Sequence, residues 1–145
     1  MRRGLGGVKL AAMSAIVVNP PSLAAPRGYS NGLVYPAGGR VLFVAGQIGW
    51  RADGTFEEGM AAQFDRALAN VMEVVRAAGG SAEHVGRFTI YVTDKHAYLA
   101  ATKAIGAAYR AHMGRHYPAM ALVQVAALLE DRALVEIEAT AVLPG

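Results

Sequence analysis

Apolar positions in the first third of the chain form two short runs separated by a pair of glycines. Residues 33–35 read Leu-Val-Tyr, residues 41–45 read Val-Leu-Phe-Val-Ala, and Gly38 and Gly39 lie between them. A glycine pair between two apolar runs is typical of a β-hairpin, because glycine adopts the positive φ angles that tight hairpin turns require. The pattern therefore predicts two paired strands here.

A helical repeat of apolar positions follows an Asp-Gly turn signal at residues 53–54. Thr55 and Glu58 have the spacing of a capping box, in which two side chains satisfy the free amides of a helix N-terminus. A Gly-Gly pair at residues 79–80 supplies a stop signal. The predicted amphipathic helix presents an apolar face made of Met60, Phe64, Ala67, Leu68, Val71, Val74, Val75 and Ala78.

Three later segments have the composition and alternation of strands. Residues 85–93 alternate between apolar and polar side chains, as a strand with one buried face does. Residues 120–127 and 133–143 are rich in apolar residues and are separated by a charged turn at residues 130–132. In the first of these segments, the face expected to be buried carries Phe88, Ile90 and Val92.

A second helical pattern lies between the first two of these strands. Asp94 is a favourable N-cap residue, Gly114 is a helix stop, and Pro118 prevents the helix from continuing. The apolar stripe between these signals consists of Tyr98, Ala101, Ile105, Ala108, Tyr109 and Met113. We therefore predict a second helix across this segment.

The order of predicted elements is β-β-α-β-α-β-β, which indicates an α+β domain in which one sheet carries both helices on one face. The second face of such a sheet has no cover of its own. The Val, Tyr and Gln side chains expected there are too apolar to be left fully in water. Self-association is the simplest way to cover that face, so we expect a homo-oligomer.

Chain length and the N-terminal segment indicate one domain with an extension. A chain of 145 residues, 54% of them hydrophobic, is long enough for one domain with its own core. Residues 1–18 resemble a signal peptide only superficially, because Lys9 interrupts the apolar run. We expect an N-terminal extension at residues 1–18, disordered in part or reflecting a start codon upstream of Met13, and a single domain at residues 19–145. No window approaches the length of a membrane-spanning helix.

Charge and cysteine content narrow the classes of function. The net charge is +3, but the arginines from Arg27 onward are scattered singly along the chain, so nucleic acid is not an expected partner. The absence of cysteine excludes disulfides and thiolate metal sites and makes the cytoplasm the default location. His112 and His116 are separated by a helix stop and lack a carboxylate to complete a ligand set, so we expect no metal site.

The strongest functional signal lies near the C-terminus. Residues 117–125 read Tyr-Pro-Ala-Met-Ala-Leu-Val-Gln-Val, and residues 135–139 read Val-Glu-Ile-Glu-Ala. Together these stretches resemble the signature of the RidA/YjgF family, also known as L-PSP endoribonuclease-like proteins and best known as hydrolytic enamine/imine deaminases. The resemblance runs from about residue 27 to residue 143 and so covers nearly the whole predicted domain.

The resemblance implies a fold, an assembly and a kind of site. Members of the family have a chorismate-mutase-like fold and form barrel-like homotrimers, with small-molecule sites in the clefts between subunits and no cofactor. In the deaminating members the signature reads Pro-Ala-Arg-Ser, and the arginine binds the substrate carboxylate through two charge-assisted hydrogen bonds. Here that position is Met120, which cannot make this contact.

Glu136 is the best candidate for a catalytic residue. It lies two positions before Glu138 on a predicted strand, so both carboxylates point to one face. Such a pair can act in acid–base chemistry, or it can face solvent and pair with arginines. The resemblance favours catalysis, because Glu136 matches the glutamate that positions the attacking water in the family.

The resemblance also supplies candidate substrate-binding residues. Tyr29, in a loop similar to Gly-Pro-Tyr-Ser-Gln, matches a tyrosine that forms a wall of the pocket, although an aromatic residue can equally anchor a loop. Ala45 and Gly46 match the first residues of Ser-Gly-Gln, so the serine hydroxyl is absent and Gly46 offers close backbone approach or a bulge. Leu122 matches a residue whose backbone amide faces the ligand.

The missing arginine leaves alternatives open. Arg27, beside Tyr29, or Arg115, just before the signature, could supply a replacement cation. One hypothesis is a hydrolase acting on an imine or enamine other than the usual 2-aminoacrylate type. The other is a non-catalytic trimer that binds a small ligand, and ribonuclease activity ranks third because no credible histidine pair or basic strip supports it.

Overall fold

The computed structural model describes residues 15–145, and residues 1–14, most of the predicted extension, lie outside the described residues. A short 3-10 helix precedes the fourth strand of the described part. The strands and helices are, in chain order, β1 (Ile16–Val18), β2 (Gly32–Val34), β3 (Arg40–Ile48), α1 (Met60–Ala77), β4 (Val85–Val92), α2 (Lys95–Ala100), α3 (Thr102–Met113), β5 (Ala119–Gln124) and β6 (Val135–Leu143).

The last four strands form one sheet in the order β3-β6-β4-β5. Strand β6 is antiparallel to both of its neighbours, whereas β4 and β5 are parallel. Helix α1 packs on β3 and β6 and also contacts α3, so the apolar core lies between the helices and one face of the sheet. The predicted α+β class, with the helices on one face of a sheet, is confirmed.

Helix α1 buries the apolar face that its sequence pattern predicts. Phe64, Leu68 and Val71 are each no more than 2% exposed. Full burial of a side chain of this size contributes roughly 1.5–3 kcal/mol. Val74, predicted on the same face, is instead 36% exposed, whereas Met72 is buried.

The start of α1 differs from the predicted capping box. The helix follows Gly59, which has a φ of 85° and no side chain with which to cap it. The amide and hydroxyl of Thr55 instead donate to the Asp53 carboxylate over 3.0 and 2.7 Å. Thr55 therefore belongs to a local turn and cannot cap the helix. The predicted stop is confirmed, since Gly79 follows the helix with a φ of 89°.

The predicted second helix is divided into α2 and α3. The Asp94 carboxylate caps its start as expected, accepting hydrogen bonds from the amides of His96 over 2.8 Å and Ala97 over 3.1 Å. A break at Ala101 separates the two helices, and Gly114, with a φ of 59°, ends the second. None of the helices within residues 15–145 is long and apolar enough to cross a membrane.

The predicted hairpin between residues 33–35 and 41–45 is wrong. Strand β2 pairs with β1 in a separate two-stranded antiparallel sheet, and β3 pairs with β6. Tyr35 anchors the end of β2 at the start of β4, because its hydroxyl donates to the backbone oxygens of Glu83 over 2.8 Å and Val85 over 3.0 Å. The glycine pair therefore joins two strands that belong to different sheets.

Strand β1 lies within the residues that the sequence pattern assigned to the extension. Ile16 is level with Val34, and Val18 is level with Gly32, in its ladder with β2. All three residues of β1 are exposed. A strand of this length with no buried side chain produces no recognisable alternation, so the pattern of apolar positions did not indicate it.

Candidate functional site

The two faces of strand β6 carry different chemistry. Val135, Ile137 and Ala139 are buried in the core beneath the helices. Glu136 and Glu138 lie on the opposite side of the sheet, which we call the open face. The alternation of side chains along a strand thus places both carboxylates on one face, as the sequence predicts.

The two glutamates have different surroundings. The Tyr91 hydroxyl donates to Glu138 Oε1 over 2.7 Å, and this hydrogen bond raises the pKa of Tyr91 above its usual value. Glu136, by contrast, forms no ion pair or side-chain hydrogen bond with any other residue in the range 15–145. Its half-buried carboxylate is therefore available for a water molecule or a ligand.

A bulge in β3 brings Gly46 against Glu136. The β3–β6 register shifts between Val44 and Gln47, so Ala45 and Gly46 together oppose a single residue of β6. A Cβ at Gly46 would lie 2.8 Å from the Glu136 Cδ and would overlap the carboxylate. Gly46 is therefore both a bulge residue and a point of close approach, and in this chain the approaching group is Glu136.

Met120 and Leu122 lie on the helical face of the sheet, opposite to Glu136. In the parallel ladder between β4 and β5, Met120 is level with Phe88 and Leu122 with Ile90. Phe88 and Ile90 are buried, and the two β5 side chains pack against the same core. Within one chain, the sheet therefore separates the Met120 side chain from the Glu136 carboxylate.

The outer edge of β5, the last strand in the sheet order, is bridged by Ser30 at Ala119, and beyond that point no strand pairs with it in the described part of the chain. The Val125 amide donates inward to the Val92 oxygen over 2.9 Å, whereas the Pro118 oxygen accepts outward from the Ser30 amide over 3.1 Å. Backbone groups alternate in direction along a strand. The amide of Leu122, four residues after Pro118, therefore points to the open edge.

A cavity of about 200 Å³, which we call the α3 cavity, lies beside helix α3 on the helical face. The strands contribute Met120 and Ile90 to its lining, and α3 contributes Arg110. Tyr109 and Tyr117 also line it, with ring centroids 5.5 Å apart and ring planes 6° apart. Met120 thus contacts an aromatic, largely apolar space that has one cation among its lining residues.

A second cavity, of about 440 Å³, contains Tyr29 in its lining. Arg115 and Gly28 also line it, and because Gly28 lines the α3 cavity as well, the two cavities adjoin. Arg27 is exposed on the loop before Gly28. Arg27 and Arg115 were the two candidates to replace the missing signature arginine. Arg115 lines the same cavity as Tyr29, and neither arginine lines the α3 cavity.

Two of the histidines have clear structural partners. His112 Nε2 lies 2.6 Å from Asp65 Oδ1, which links α3 to α1. His116 Nε2 lies 2.7 Å from the backbone oxygen of Val85, at the start of β4. Across residues 15–145, no three His, Cys, Asp or Glu side chains form a group that could hold a metal ion.

Comparison with protein families identifies the chain. The model of the family described as "Endoribonuclease L-PSP" matches residues 20–143. The chain belongs to the RidA/YjgF/L-PSP family. Among curated proteins, no sequence matches this chain. The α+β architecture is thus the chorismate-mutase-like Rid fold that the signature led us to expect.

Solved structures support this assignment. The Rid-family protein YyfB from Yersinia pestis is 34% identical with a TM-score of 0.79, over 90% of this chain and 100% of that one. RidA from a Psychrobacter species is 31% identical with a TM-score of 0.63, over 83% of this chain and 92% of that one. TdcF from E. coli with bound serine is 28% identical with a TM-score of 0.64, over 90% of this chain and 98% of that one.

Sequence analysis did not single out Arg110, which lines the α3 cavity together with Met120. It lies in α3, outside the signature, so the resemblance did not point to it. One local signal was available, because Gly106 lies four residues earlier and positions i and i+4 of a helix share one face. A long cationic side chain there can lie over the space that the glycine leaves.

Proposed function

We propose that this Rid-family chain is a cofactor-independent hydrolase for an imine or enamine, in which Glu136 positions the attacking water. The observation that carries the proposal is the setting of the Glu136 carboxylate. It lies against Gly46 on the open face and has no ion-pair partner in the described part of the chain. A carboxylate without an ion-pair partner can orient a water and accept its proton.

The chemistry requires one carboxylate and one water. The water oxygen adds to the carbon of a protonated imine while one water proton passes to Glu136. The product of this addition is a neutral carbinolamine. Glu136 then returns this proton to nitrogen, the carbon–nitrogen bond breaks, and the hydroxyl proton passes to the departing ammonia as the carbonyl forms. An enamine enters the same sequence after it gains a proton on carbon.

We further propose that the complete site forms between two chains of a homotrimer. Leu122 and Glu136 lie on opposite faces of one sheet, but the Leu122 amide points to the open edge of β5. Gly46 lies in β3, at the other edge of the sheet. A copy whose β3 side meets the β5 edge of its neighbour would bring Glu136 and Gly46 of one chain to the Leu122 amide of the next.

The substrate class follows from Met120. An ionised carboxylate that loses its water beside this side chain without a cation would lose several kcal/mol of solvation. We therefore propose that the substrate either lacks the α-carboxylate of 2-aminoacrylate or presents it to a different cation. Tyr29, Ala45, Gly46 and Leu122 belong to this proposed substrate-binding surface.

The second candidate function is a non-catalytic trimer that binds a small ligand. Met120 favours it specifically, because this residue removes the carboxylate contact of the deaminating family members. The structure of the relative TdcF contains bound serine, so a protein similar to this chain holds a small ligand.

Two matched variants separate the candidates. Glu136→Gln and Glu138→Gln each remove one charge from the open face of β6, but Glu138 is already bound by Tyr91. Ammonia release is measured on a panel of imines, with and without a carboxylate, formed from amines and amino acids by oxidases. We expect turnover that Glu136→Gln removes and Glu138→Gln retains. A folded trimer without turnover on any imine of the panel would favour the binder.

A further inference from the structure

We propose that the outer surface of helices α2 and α3 docks an acidic helical segment of another protein. We call this surface the basic surface, and its exposed cations are Lys95, Lys103, Arg110 and Arg115. The helices cover one face of the sheet, whereas Glu136 lies on the open face. Docking on the basic surface therefore does not depend on hydrolysis at Glu136.

The positive charge of the chain comes from one segment. Residues 95–129 contain four Lys and Arg residues and no Asp or Glu, so this segment carries +4. The remaining residues contain ten Lys and Arg and eleven Asp and Glu, so they carry −1, and the two parts together give the net charge of +3. The four cations are scattered in the sequence, but all of them lie on α2, on α3 or just after α3. A charge asymmetry of this kind favours an anionic partner.

These cations have no anionic partner in the described part of the chain. The ion pairs within residues 15–145 involve other basic residues, so none of the four cations is neutralised. Two carboxylates lie against these helices, and both are engaged. Asp94 accepts hydrogen bonds from the amides at the start of α2, and Asp65 of α1 lies 2.6 Å from His112. The basic surface therefore keeps its charge for a partner.

Lys103 and Arg110 form the centre of the basic surface. They are seven residues apart in α3, so they lie on one side of the helix, roughly 10 Å apart along its axis. Arg110 Nη1 lies 3.3 Å from the position of a Cβ built on Gly106, so the guanidinium extends along the helix toward Lys103. Like charges on neighbouring turns repel each other. A carboxylate placed between the two cations would relieve this repulsion.

The surroundings of these cations favour an acidic protein segment over a membrane or a nucleic acid. Between Lys103 and Arg110 the exposed residues are Ala104 and Ala107. A membrane-binding helix needs bulky apolar side chains, a surface for single strands usually offers aromatic rings for stacking, and four cations can neutralise only a few phosphates. Small side chains let another helix approach closely, and cations beside such a contact select a helix that carries carboxylates.

The test is the fluorescence anisotropy of a labelled helical peptide of glutamate and alanine, titrated with the full chain at low ionic strength. We expect saturable binding that salt weakens, and no binding of the counterpart peptide in which glutamine replaces glutamate. Lys103→Gln combined with Arg110→Gln should weaken binding of the glutamate peptide roughly twofold to thirtyfold, the effect of two exposed ion pairs.

Arg51→Gln combined with Arg132→Gln is the matched control. It removes the same net charge, but these two cations already pair with carboxylates of the chain and lie outside the basic surface. Binding of the glutamate peptide should stay nearly unchanged. The reversal Lys103→Glu with Arg110→Glu should lose this peptide and bind a peptide of lysine and alanine, a result that a chain with a damaged fold would not give.

Three results would decide against the proposal. One is the absence of saturable binding of the glutamate peptide by the wild-type chain. Another is equal weakening by the two double variants with glutamine, which would mean that only net charge matters. The third is tighter binding, at the same ionic strength, of an oligouridylate of equal charge or of phosphatidylserine vesicles, which would make the partner a nucleic acid or a membrane. None of these readouts uses hydrolysis, so failure of the proposed enzyme activity would leave them intact.

Discussion

Met120 changes what one position of the Rid signature can do. A methionine side chain gains free energy by burial and makes no strong hydrogen bond. In this chain it lines the α3 cavity together with aromatic rings and with Arg110 of helix α3. The position therefore contributes to an apolar space in this chain and cannot bind a carboxylate through charge-assisted hydrogen bonds.

At this scale we predict that the wild-type chain is slow or inactive on imines derived from serine, threonine or leucine. Met120→Arg combined with Ala121→Ser should recover measurable hydrolysis, because it restores the carboxylate contact of the deaminating relatives. The expected increase in the rate of hydrolysis is roughly tenfold to a hundredfold, because one bidentate contact contributes about 1.5–3 kcal/mol. The measurement is ammonia or semicarbazone formation beside an arginine-bearing family member.

The control for this prediction is a triple variant that also carries Glu136→Gln. It should lose the recovered activity while it remains folded and trimeric. If the double variant binds a carboxylate ligand but shows no turnover, Glu136 is not catalytic. Wild-type rates equal to those of the arginine-bearing relative would mean that another cation already binds the substrate carboxylate. Arg110 and Arg115 would then be the first residues to mutate.

At the scale of elements, Gln63 connects α1 to two loops. Its side chain is 3% exposed, and Nε2 donates to the backbone oxygens of Glu57 over 3.2 Å and Arg132 over 2.9 Å. Its Oε1 accepts from the Leu134 amide over 2.8 Å, just before β6 begins. One buried amide group thus fixes the chain on both sides of the helix.

We predict that Gln63→Leu lowers the free energy of unfolding by about 1–3 kcal/mol, because it leaves buried backbone groups without partners. Urea denaturation measures this change. Gln47→Leu is the comparison variant, since the Gln47 side chain makes one bond of 3.3 Å to the oxygen of Ala45, two residues away. It should change stability by no more than about 0.5 kcal/mol. Similar effects of both variants would contradict the role of Gln63.

The Tyr35 hydroxyl, which links β2 to β4, makes the stability of the fold depend on pH. Burial raises the pKa of Tyr35 to about 12, from an ordinary value of 10.0. The folded chain therefore keeps this proton at pH values where the unfolded chain loses it. The contribution of Tyr35 to the free energy of unfolding is therefore fully present below pH 10 and is lost as the pH rises through about 12.

We therefore expect the free energy of unfolding to fall with pH across this alkaline range and to fall less steeply in Tyr35→Phe. The variant should also be less stable at pH 8 by about 0.5–1.5 kcal/mol, because it loses a hydrogen bond. Urea denaturation at several pH values measures both effects. Burial also raises the pKa of Tyr109, so some of the slope should remain. Identical slopes in the two proteins would exclude a contribution from Tyr35.

At the scale of the whole molecule, the open face of the sheet determines the expected assembly. Phe43 is 79% exposed and Val41 58% exposed on β3, and Val123 is 44% exposed on β5. Each buried methylene contributes about 0.8 kcal/mol, so covering these side chains against other copies is favourable. This is the physical argument for self-association, and a homotrimer is the assembly that we propose.

We predict a homotrimer by sedimentation equilibrium at micromolar concentration. Phe43→Glu should shift the mass toward the monomer, because it places a charge in the proposed interface. Leu99→Glu is a matched control, since Leu99 is 59% exposed but lies in α2, on the helical side. A monomeric wild-type chain would remove the proposed site between subunits.

The sequence by itself determined the local features of this protein. The alternation of residues 85–93, the Asp94 cap and the stops at Gly79 and Gly114 each depend on side chains within a few positions, so they are readable without knowledge of the fold. The placement of both β6 glutamates on one face is of the same kind. Fold class and family followed, because this order of elements and the signature are both properties of the linear chain.

Only the tertiary structure decided which parts meet. The pairing of β2 with β1, and not with β3, depends on partners far apart in sequence, and the Tyr35 contact with β4 spans about fifty residues. Strand β5 reads Ala-Met-Ala-Leu-Val-Gln, which is apolar on both sides, so alternation could not assign Met120 to the helical face. Arg110 and Met120 line one cavity because helix α3 packs on the sheet. The residues around each of them in the sequence do not indicate that the two lie close together.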